Sequence, residues 1–187
     1  MSRRDAAQNL ESEVLRHLVQ MKMPDSVIRF ELSPGNEPDA LGIERVQLLF
    51  SANPGSKMAA LEHVASGGEK SRLMLAFKAS QTTNGLPTII LDEIDTGVSG
   101  DVADKMAKMM RQMAKNQQVI AITHLPQVAA KAEQHYQVAK HVKEDITRTQ
   151  VTALTGEERI LEIAALLSGA TISEAAKANA VALLQQT

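Results

Sequence analysis

Ile89-Ile90-Leu91-Asp92-Glu93 runs an apolar strand straight into two adjacent carboxylates. Pro87 precedes it, and residues 88–91 read as a short apolar strand. Residues 119–122, Val119-Ile120-Ala121-Ile122, form a second such strand, which delivers Thr123-His124 at its C-terminal tip. Between the two, residues 101–115 place Val102, Met106, Met109 and Met113 on one helical face. A further helix is expected over 69–80, just upstream. Continuous apolar strands alternating with helices are what a parallel sheet covered on both faces requires. The expected fold class is therefore α/β.

The flanking sequence adds other patterns. Leu10, Val14, Leu18 and Met21 make one apolar stripe on a helix expected over 5–22, which Pro24 ends. The stripe fits a helix packed on its own domain and equally the stub of a longer coiled coil, since a coiled coil needs roughly three or four heptads to declare itself. Residues 27–32 and 43–50 read as an antiparallel hairpin around a long loop, Ser33-Pro34-Gly35-Asn36-Glu37-Pro38-Asp39. Asn53-Pro54-Gly55 then breaks the chain. Residues 135–141 and 147–153 suggest a late hairpin. Thr155-Gly156-Glu157-Glu158 is a capping box that opens a helix to Leu167, with Gly169 placed to end it. A last helix is expected over 173–186.

Composition excludes several classes. The chain has 187 residues, with 44% hydrophobic and 22% charged, which is ordinary for a folded globular domain and excludes disorder as the main state. No apolar run approaches the roughly 18 residues that a membrane helix needs. The sequence after Met1-Ser2-Arg3-Arg4-Asp5 has no apolar stretch of the secretory kind. There is no Cys, which removes disulfides, thiolate metal sites and Cys nucleophiles, and fits the cytoplasm. The net charge of −2 makes no bulk case for nucleic acid. The aromatics are only Phe30, Phe50, Phe77 and Tyr136, too few for a base-stacking platform.

Three short motifs carry possible chemistry. Ser66-Gly67-Gly68-Glu69-Lys70-Ser71-Arg72 opens a helix; its glycines let a ligand approach the backbone, and the helix start presents free N–H groups to an anion. Alone, it reads as an ordinary N-cap turn. Asp92 and Glu93 stand at the C-terminal end of a strand, where open α/β sheets bind ligands. A carboxylate there can hold Mg²⁺, usually through water, while its neighbour directs an attacking water. Alone, the pair is a charged turn. His124 at the tip of the next strand is, alone, a structural histidine.

In order and spacing, however, Ser66 to Lys70, Ile89 to Glu93 and His124 resemble the signature motif, Walker B strand and switch histidine of ABC-type ATPase heads. Asp92-Glu93-Ile94-Asp95-Thr96-Gly97-Val98-Ser99-Gly100 lacks the Pro that follows the Glu in transporters. It is similar to the RecN group of SMC-related recombinational repair proteins, as are Thr123-His124-Leu125-Pro126-Gln127-Val128-Ala129 and His135-Tyr136.

The resemblance implies an ATP sandwiched between two heads. Ser66, Gly67, Gly68, Glu69 and Lys70 would meet, in trans, the nucleotide held by the opposing head. Asp92 would hold Mg²⁺ through water, in the family's manner. Glu93 would be the general base and His124 would contact the γ-phosphate. Asp95, Thr96, Gly97 and Ser99 would belong to the D-loop along the dimer interface. The Asp that often closes that loop aligns with Ser99, and Asp101 lies beyond it, so the aspartate role stays unassigned. Lys70 and Arg72 fit either the nucleotide or solvent. Lys105, Lys108, Arg111 and Lys115 form a basic stripe that fits DNA phosphates or an ordinary solvent face.

No Gly-x-x-x-x-Gly-Lys-Ser/Thr occurs in the sequence. In the family that Walker A loop lies in the N-terminal half, beyond a long coiled coil. The resemblance thus implies the C-terminal half of a P-loop, ABC/SMC-type head. Residues 1–23 would end the coiled-coil arm, and residues 24–187 would form the C-terminal lobe: a mostly parallel sheet flanked by helices, with β-hairpins. The implied partners are the N-terminal half, a second head and DNA, with no membrane. The implied cofactors are ATP and Mg²⁺, and the implied location is the bacterial cytoplasm, at the nucleoid. By itself the chain is expected not to turn over ATP. Two alternatives stay open: a non-catalytic dimerisation or recruitment module, and the half-head of another SMC-like ATPase.

Overall fold

A computed structural model describes residues 2–53, 55, 57–63, 66–81, 87–143, 146–169 and 171–186. Of the break read at 53–55, Pro54 lies outside the described residues. The chain divides into two compact units, Met1–Ile122 and Thr123–Thr187.

The first unit opens with α1 (Arg3–Gln20). Ser2 caps it: its Oγ accepts from Asp5 N–H at 3.2 Å, and Asp5 Oδ2 accepts from Ser2 N–H at 2.9 Å. Val14, Leu18 and Met21 from the expected stripe are buried. The helix packs on β1 (Val27–Asp39) and on α2 (Gly67–Ser80). α2 buries Leu73, Leu75, Ala76 and Ala79 along one broad face and leaves Met74 and Lys78 exposed on the other. Phe77 of α2 meets Phe30 of β1 edge to face, with ring centroids 6.2 Å apart.

The hairpin departs from the expected long loop. β1 runs through the turn-former cluster to Asp39 and pairs with β2 (Gly42–Ser51), reversing at Ala40-Leu41. Pairing is regular from Val27↔Ser51 to Pro34↔Glu44, and the register shifts between Pro34 and Asp39. β1 is an edge strand of the sheet β1-β2-β3, with β3 at Ala59–Ala60. Prolines are tolerated on an edge and at a bulge, because no ladder donor is lost there. Glu11 Oε1 accepts the Phe30 N–H on that edge at 2.6 Å.

Among the described residues the parallel component is confined to β4 (Thr88–Asp92) and β5 (Gln118–Ile122), joined by α3 (Gly100–Met113). α3 buries Met106, Met109, Met110 and Met113. Leu91 is buried on one face of the sheet. On the other face Ile90, Ile120 and Ile122 are 63%, 43% and 50% exposed. The strands are apolar on both faces, as a doubly covered sheet requires, but the described residues cover one.

The second unit contains α4 (Pro126–Ala130), the hairpin β6 (His135–Lys143) with β7 (Ile146–Leu154), α5 (Gly156–Ser168) and α6 (Glu174–Gln185). The short α4 was not expected from the sequence. The capping box at Thr155 and the ending at Gly169, with φ of +74°, follow the sequence reading. Ala129, Ala130, Ala164, Ala176 and Ala180 with Ile163 form the core, so α4, α5 and α6 approach closely. Arg159 donates to Ala130 O at 3.0 Å, holding the end of α4.

Burial holds the imidazoles of His17 and His135 below the ordinary histidine value, with Arg16 and Arg159 adding repulsion. The buried Nδ1 of each has no hydrogen-bond partner among the described residues. The unfolded chain therefore takes up these protons more readily than the folded one. The stability they contribute is present above about pH 6.5 and is lost as pH falls through the lowered folded values. The denaturant midpoint is expected to fall between about pH 8 and 5. A His17→Gln, His135→Gln double variant should flatten that fall; an unchanged slope would exclude these histidines as its cause.

Candidate functional site

The Gly-rich turn begins at Ser66, whose backbone is extended (φ −98°, ψ 128°) as an N-cap requires. Its carbonyl accepts the first intrahelical bond, from Lys70 N–H at 3.1 Å. Its side chain makes no capping bond, and Ser66 and Gly67 are exposed. Glu69 sits in the first turn of α2, where the helix dipole favours a carboxylate, and both Glu69 and Lys70 are half-buried.

The two glycines differ in their surroundings. A Cβ on Gly68 would stand 2.6 Å from the Gly97 carbonyl oxygen. Gly97 has φ of +76°, and a Cβ there would stand 3.1 Å from the Gly68 nitrogen. Ser71 Oγ donates to Thr96 O at 3.2 Å. The start of α2 and residues 96–97 thus form one packed contact within this chain. A Cβ on Gly67, by contrast, would meet nothing within 4 Å.

β4 brings the carboxylates to the same neighbourhood. Asp92 ends the strand opposite Ile122 and is exposed. Glu93, also exposed, has φ of +45°, in the left-handed region that costs a side-chain-bearing residue roughly 1–2 kcal/mol. Its N–H donates to Ile122 O at 3.0 Å, which extends the parallel ladder by one bond. Its carbonyl accepts from Thr96 N–H at 3.1 Å and Thr96 Oγ1 at 2.9 Å. The turn is therefore closed on itself and leaned on α2. Within it Asp95 is 1% exposed, while Thr96, Gly97 and Ser99 face solvent. Ser99 is the N-cap residue of α3 and makes no side-chain capping bond.

His124 belongs to the second unit, two residues beyond β5, and is exposed. Thr123 Oγ1 accepts the Leu125 N–H at 2.9 Å, so the loop that carries His124 is locally fixed. Among the described residues no three His, Asp or Glu side chains converge as a metal cage.

Two charged residues have roles that the sequence did not reveal. Arg72 Nη1 donates to Met21 O at 3.3 Å and to Lys22 O at 3.5 Å, and its Nε to Gly68 O at 3.1 Å. Lys22 pairs with Asp101. Both links join residues about 50 or more positions apart, beyond any local sequence pattern. The basic stripe is partly neutralised, since Lys108 pairs with Asp104 at 2.8 Å. A cleft between α1 and the β1–β2 hairpin is lined by Leu10, Phe30, Leu32, Leu41 and Val46, and no residue of the Gly-rich turn lines it.

Comparison with known proteins bears on the fold and the family. The RecF/RecN/SMC N terminal domain family matches residues 5–171. The DNA repair protein RecN of Rickettsia felis is 42% identical over 180 residues, covering 96% of this chain and 33% of the relative. That of Deinococcus radiodurans is 43% identical over 185 residues, covering 96% of this chain and 32% of the relative. The chain thus spans about a third of the length of the curated relatives it matches. Among solved structures, the Smc head domain of Pyrococcus yayanosii with a coiled coil and joint superposes with a TM-score of 0.66 at 20% identity, over 88% of this chain and 29% of that one. A chain solved for the structural biochemistry of ATP-driven dimerization and DNA stimulated activation of SMC ATPases gives 0.59 at 22% identity, over 84% of this chain and 92% of that one. The fold is that of an SMC-type head, and the chain belongs to the RecF/RecN/SMC family.

Proposed function

We propose that this chain is the C-terminal lobe of a RecN-like ATPase head that works in DNA double-strand break repair. The observation that carries the reading is the contrast between the glycines. Gly68 is required by its contact with Gly97, whereas Gly67 fills no packing need and lies open beside the exposed Ser66. Open backbone at a helix start is suited to an anion, here the γ-phosphate of ATP held by an opposing head. The family is described by its N-terminal domain. Placement toward the C-terminal end of the parent rests instead on this chain's motif order and on the lack of a Gly-x-x-x-x-Gly-Lys-Ser/Thr sequence.

In this reading Ser66, Gly67 and Gly68 bind the γ-phosphate in trans, with Glu69 and Lys70 beside them, and Asp95 to Gly100 runs along the head–head interface. Asp92 holds Mg²⁺, which supplies charge neutralisation on the phosphates when bound. Glu93 takes a proton from the attacking water as its oxygen bonds to the γ-phosphorus and ADP leaves. The strained φ of Glu93, fixed by its N–H bond to Ile122, supports a placed rather than incidental carboxylate. His124 contacts the γ-phosphate. Residues 1–23 form the end of a coiled-coil arm, and residues 24–187 the lobe.

The partner is the half of the head that carries the phosphate loop. Its seat in the first unit is the bare apolar face of Ile90, Ile120 and Ile122. In the second unit it is the face of Tyr136, Val138 and Val151, which are likewise exposed. The solved SMC chain that this fold covers almost entirely supports a lobe of about this extent as a structural unit. Among the described residues no helix is long and apolar enough to cross a membrane. In this reading the protein acts on nucleoid DNA in the bacterial cytoplasm.

Hydrolysis is expected only when this chain is mixed with a half that carries the phosphate loop. Glu93→Gln should then lower the rate about 10²–10⁴-fold, and Ser66→Arg should abolish ATP-dependent association. Phosphate release by this chain alone, lost with Glu93→Gln, would contradict the reading. Inactivity of two halves that are folded and bound to each other would favour a recruiting module.

The glycines give an independent check by thermal and denaturant unfolding. Gly68→Ala should cost about 1–3 kcal/mol, since backbone must move. Gly67→Ala should stay within about 0.5 kcal/mol yet weaken ATP-dependent association. Equal stability losses at the two positions would mean that Gly67 serves packing as well.

A further inference from the structure

The C-terminal turn of α1 is built unusually. Lys22 N–H donates to Val19 O at 3.2 Å and Met23 N–H to Leu18 O at 2.9 Å, the paired bonds of a Schellman ending. The residue at its left-handed position is ordinarily glycine, but here it is Lys22, with φ of +62°. A side chain kept at a strained position has a use, and Lys22 reaches Asp101 in the first turn of α3, just past the 93–99 loop. From the other side Arg72 reaches the same turn, donating to Met21 O and Lys22 O, while its Nε holds Gly68 O beside the Gly-rich turn. A guanidinium is suited to this, since its planar fork can address carbonyls on separate elements with little loss of side-chain freedom.

We propose that Arg72 is a positioning residue that makes the end of α1 and the Gly-rich turn one rigid piece, so that a displacement of α1 is delivered to Ser66 and Gly67. The importance of the delivery rests on the nucleotide reading above; the lock itself does not. The path is short. Arg72 joins Met21 and Lys22 to Gly68, Gly68 bears on Gly97, and Ser71 bonds to Thr96. Residue 97 follows the carboxylates by only a few positions, and Lys22–Asp101 closes the ring from the far side of the loop. A rotation or slide of α1 therefore cannot leave the Gly-rich turn in place unless these bonds break.

Hydrogen exchange on the chain in the absence of nucleotide tests the lock. In Arg72→Ala, exchange should accelerate about tenfold or more at Lys22 and Met23 and, together with them, at Lys70 and Ser71, because charge-assisted bonds to both turns are lost together. The amides of Val119 to Ile122 in β5 and those of α5 should stay as slow as in the parent. Acceleration at one turn alone would reduce Arg72 to a local cap and overturn the proposal. So would uniform acceleration across the first unit, which is the mark of plain destabilisation. Should Arg72→Ala fail to fold, Arg72→Lys carries the same test, since a single ammonium nitrogen does not reproduce the separately placed Nε and Nη1 that hold the two elements. In the mixed two-half ATPase assay, Arg72→Lys should lower kcat several-fold and leave KM for ATP unchanged. If the exchange pattern holds while every mixture is inactive, including the one with the parent sequence, the nucleotide reading has failed and the lock stands. Paired exchange with unchanged kcat in an active mixture would show a lock that delivers nothing, and would overturn the proposal.

Discussion

Gly68 and Gly97 meet backbone against backbone, with no room for a Cβ on the first and little on the second. Two other arrangements depend on that approach. It sets the start of α2 directly on the 93–99 loop, so Ser71 can reach Thr96 O. It lets that loop close tightly enough for Thr96 to satisfy the Glu93 carbonyl with both its N–H and its hydroxyl. Larger residues would prise the helix from the loop, and the carboxylates at the end of β4 would lose their fixed relation to the open backbone at Ser66 and Gly67. Protein interiors resist such gaps because misfits of this size are not absorbed without strain.

The bare sheet face follows from a different constraint. A parallel strand pair gains its stability from cover on both sides, and β4 and β5 are apolar on both. Here α3 and its methionines occupy one side. On the other, Ile90, Ile120 and Ile122 stand in water at a cost of roughly 25 cal/mol for each Å² of apolar surface. Exposed apolar surface of this kind is suited to cover by a partner. The same physics explains why Val14 and Leu18 of α1 and Leu73, Leu75 and Ala76 of α2 are buried in the same unit: α1 packs on β1 and on α2.

Much of this was legible in the sequence, because local chemistry wrote it. The stripe of Val14, Leu18 and Met21, the methionine face of α3, the Thr155 capping box and the apolar strands all follow from period and caps. What failed did so for physical reasons. Pro34 and Pro38 look like a loop, yet an edge strand with a register shift has no use for the donors they lack. Gly67 and Gly68 are equivalent as letters, and only Gly97, far along the chain, separates their roles. Asp95 reads like its acidic neighbours but is buried, while Asp92 and Glu93 are not. Arg72 read as a surface or ligand-facing charge because its partners, Met21 and Lys22, lie near the other end of the unit's sequence.

The conformations that a designer would avoid gather in one region. Lys22 and Glu93 are the non-glycine residues at positive φ among the described residues, and Gly68 meets Gly97 close to Glu93, while the one tighter glycine contact, Gly35 against Ile43 O, lies in the hairpin. Lys22 is bound to the head of α3, Glu93 to the tip of β5, and the glycines to each other. Each misfit is held by bonds from a different element, which is the condition under which strain persists. A fold selected only for stability would place Gly at residues 22 and 93 and gain roughly a kcal/mol at each. That side chains stand there instead, one reaching α3 and the other exposed at the strand end, is best understood if the side chains themselves are needed. The strain is thus a map: it runs from the end of α1, through Arg72 and the Gly-rich turn, to the carboxylate that the chemistry would use.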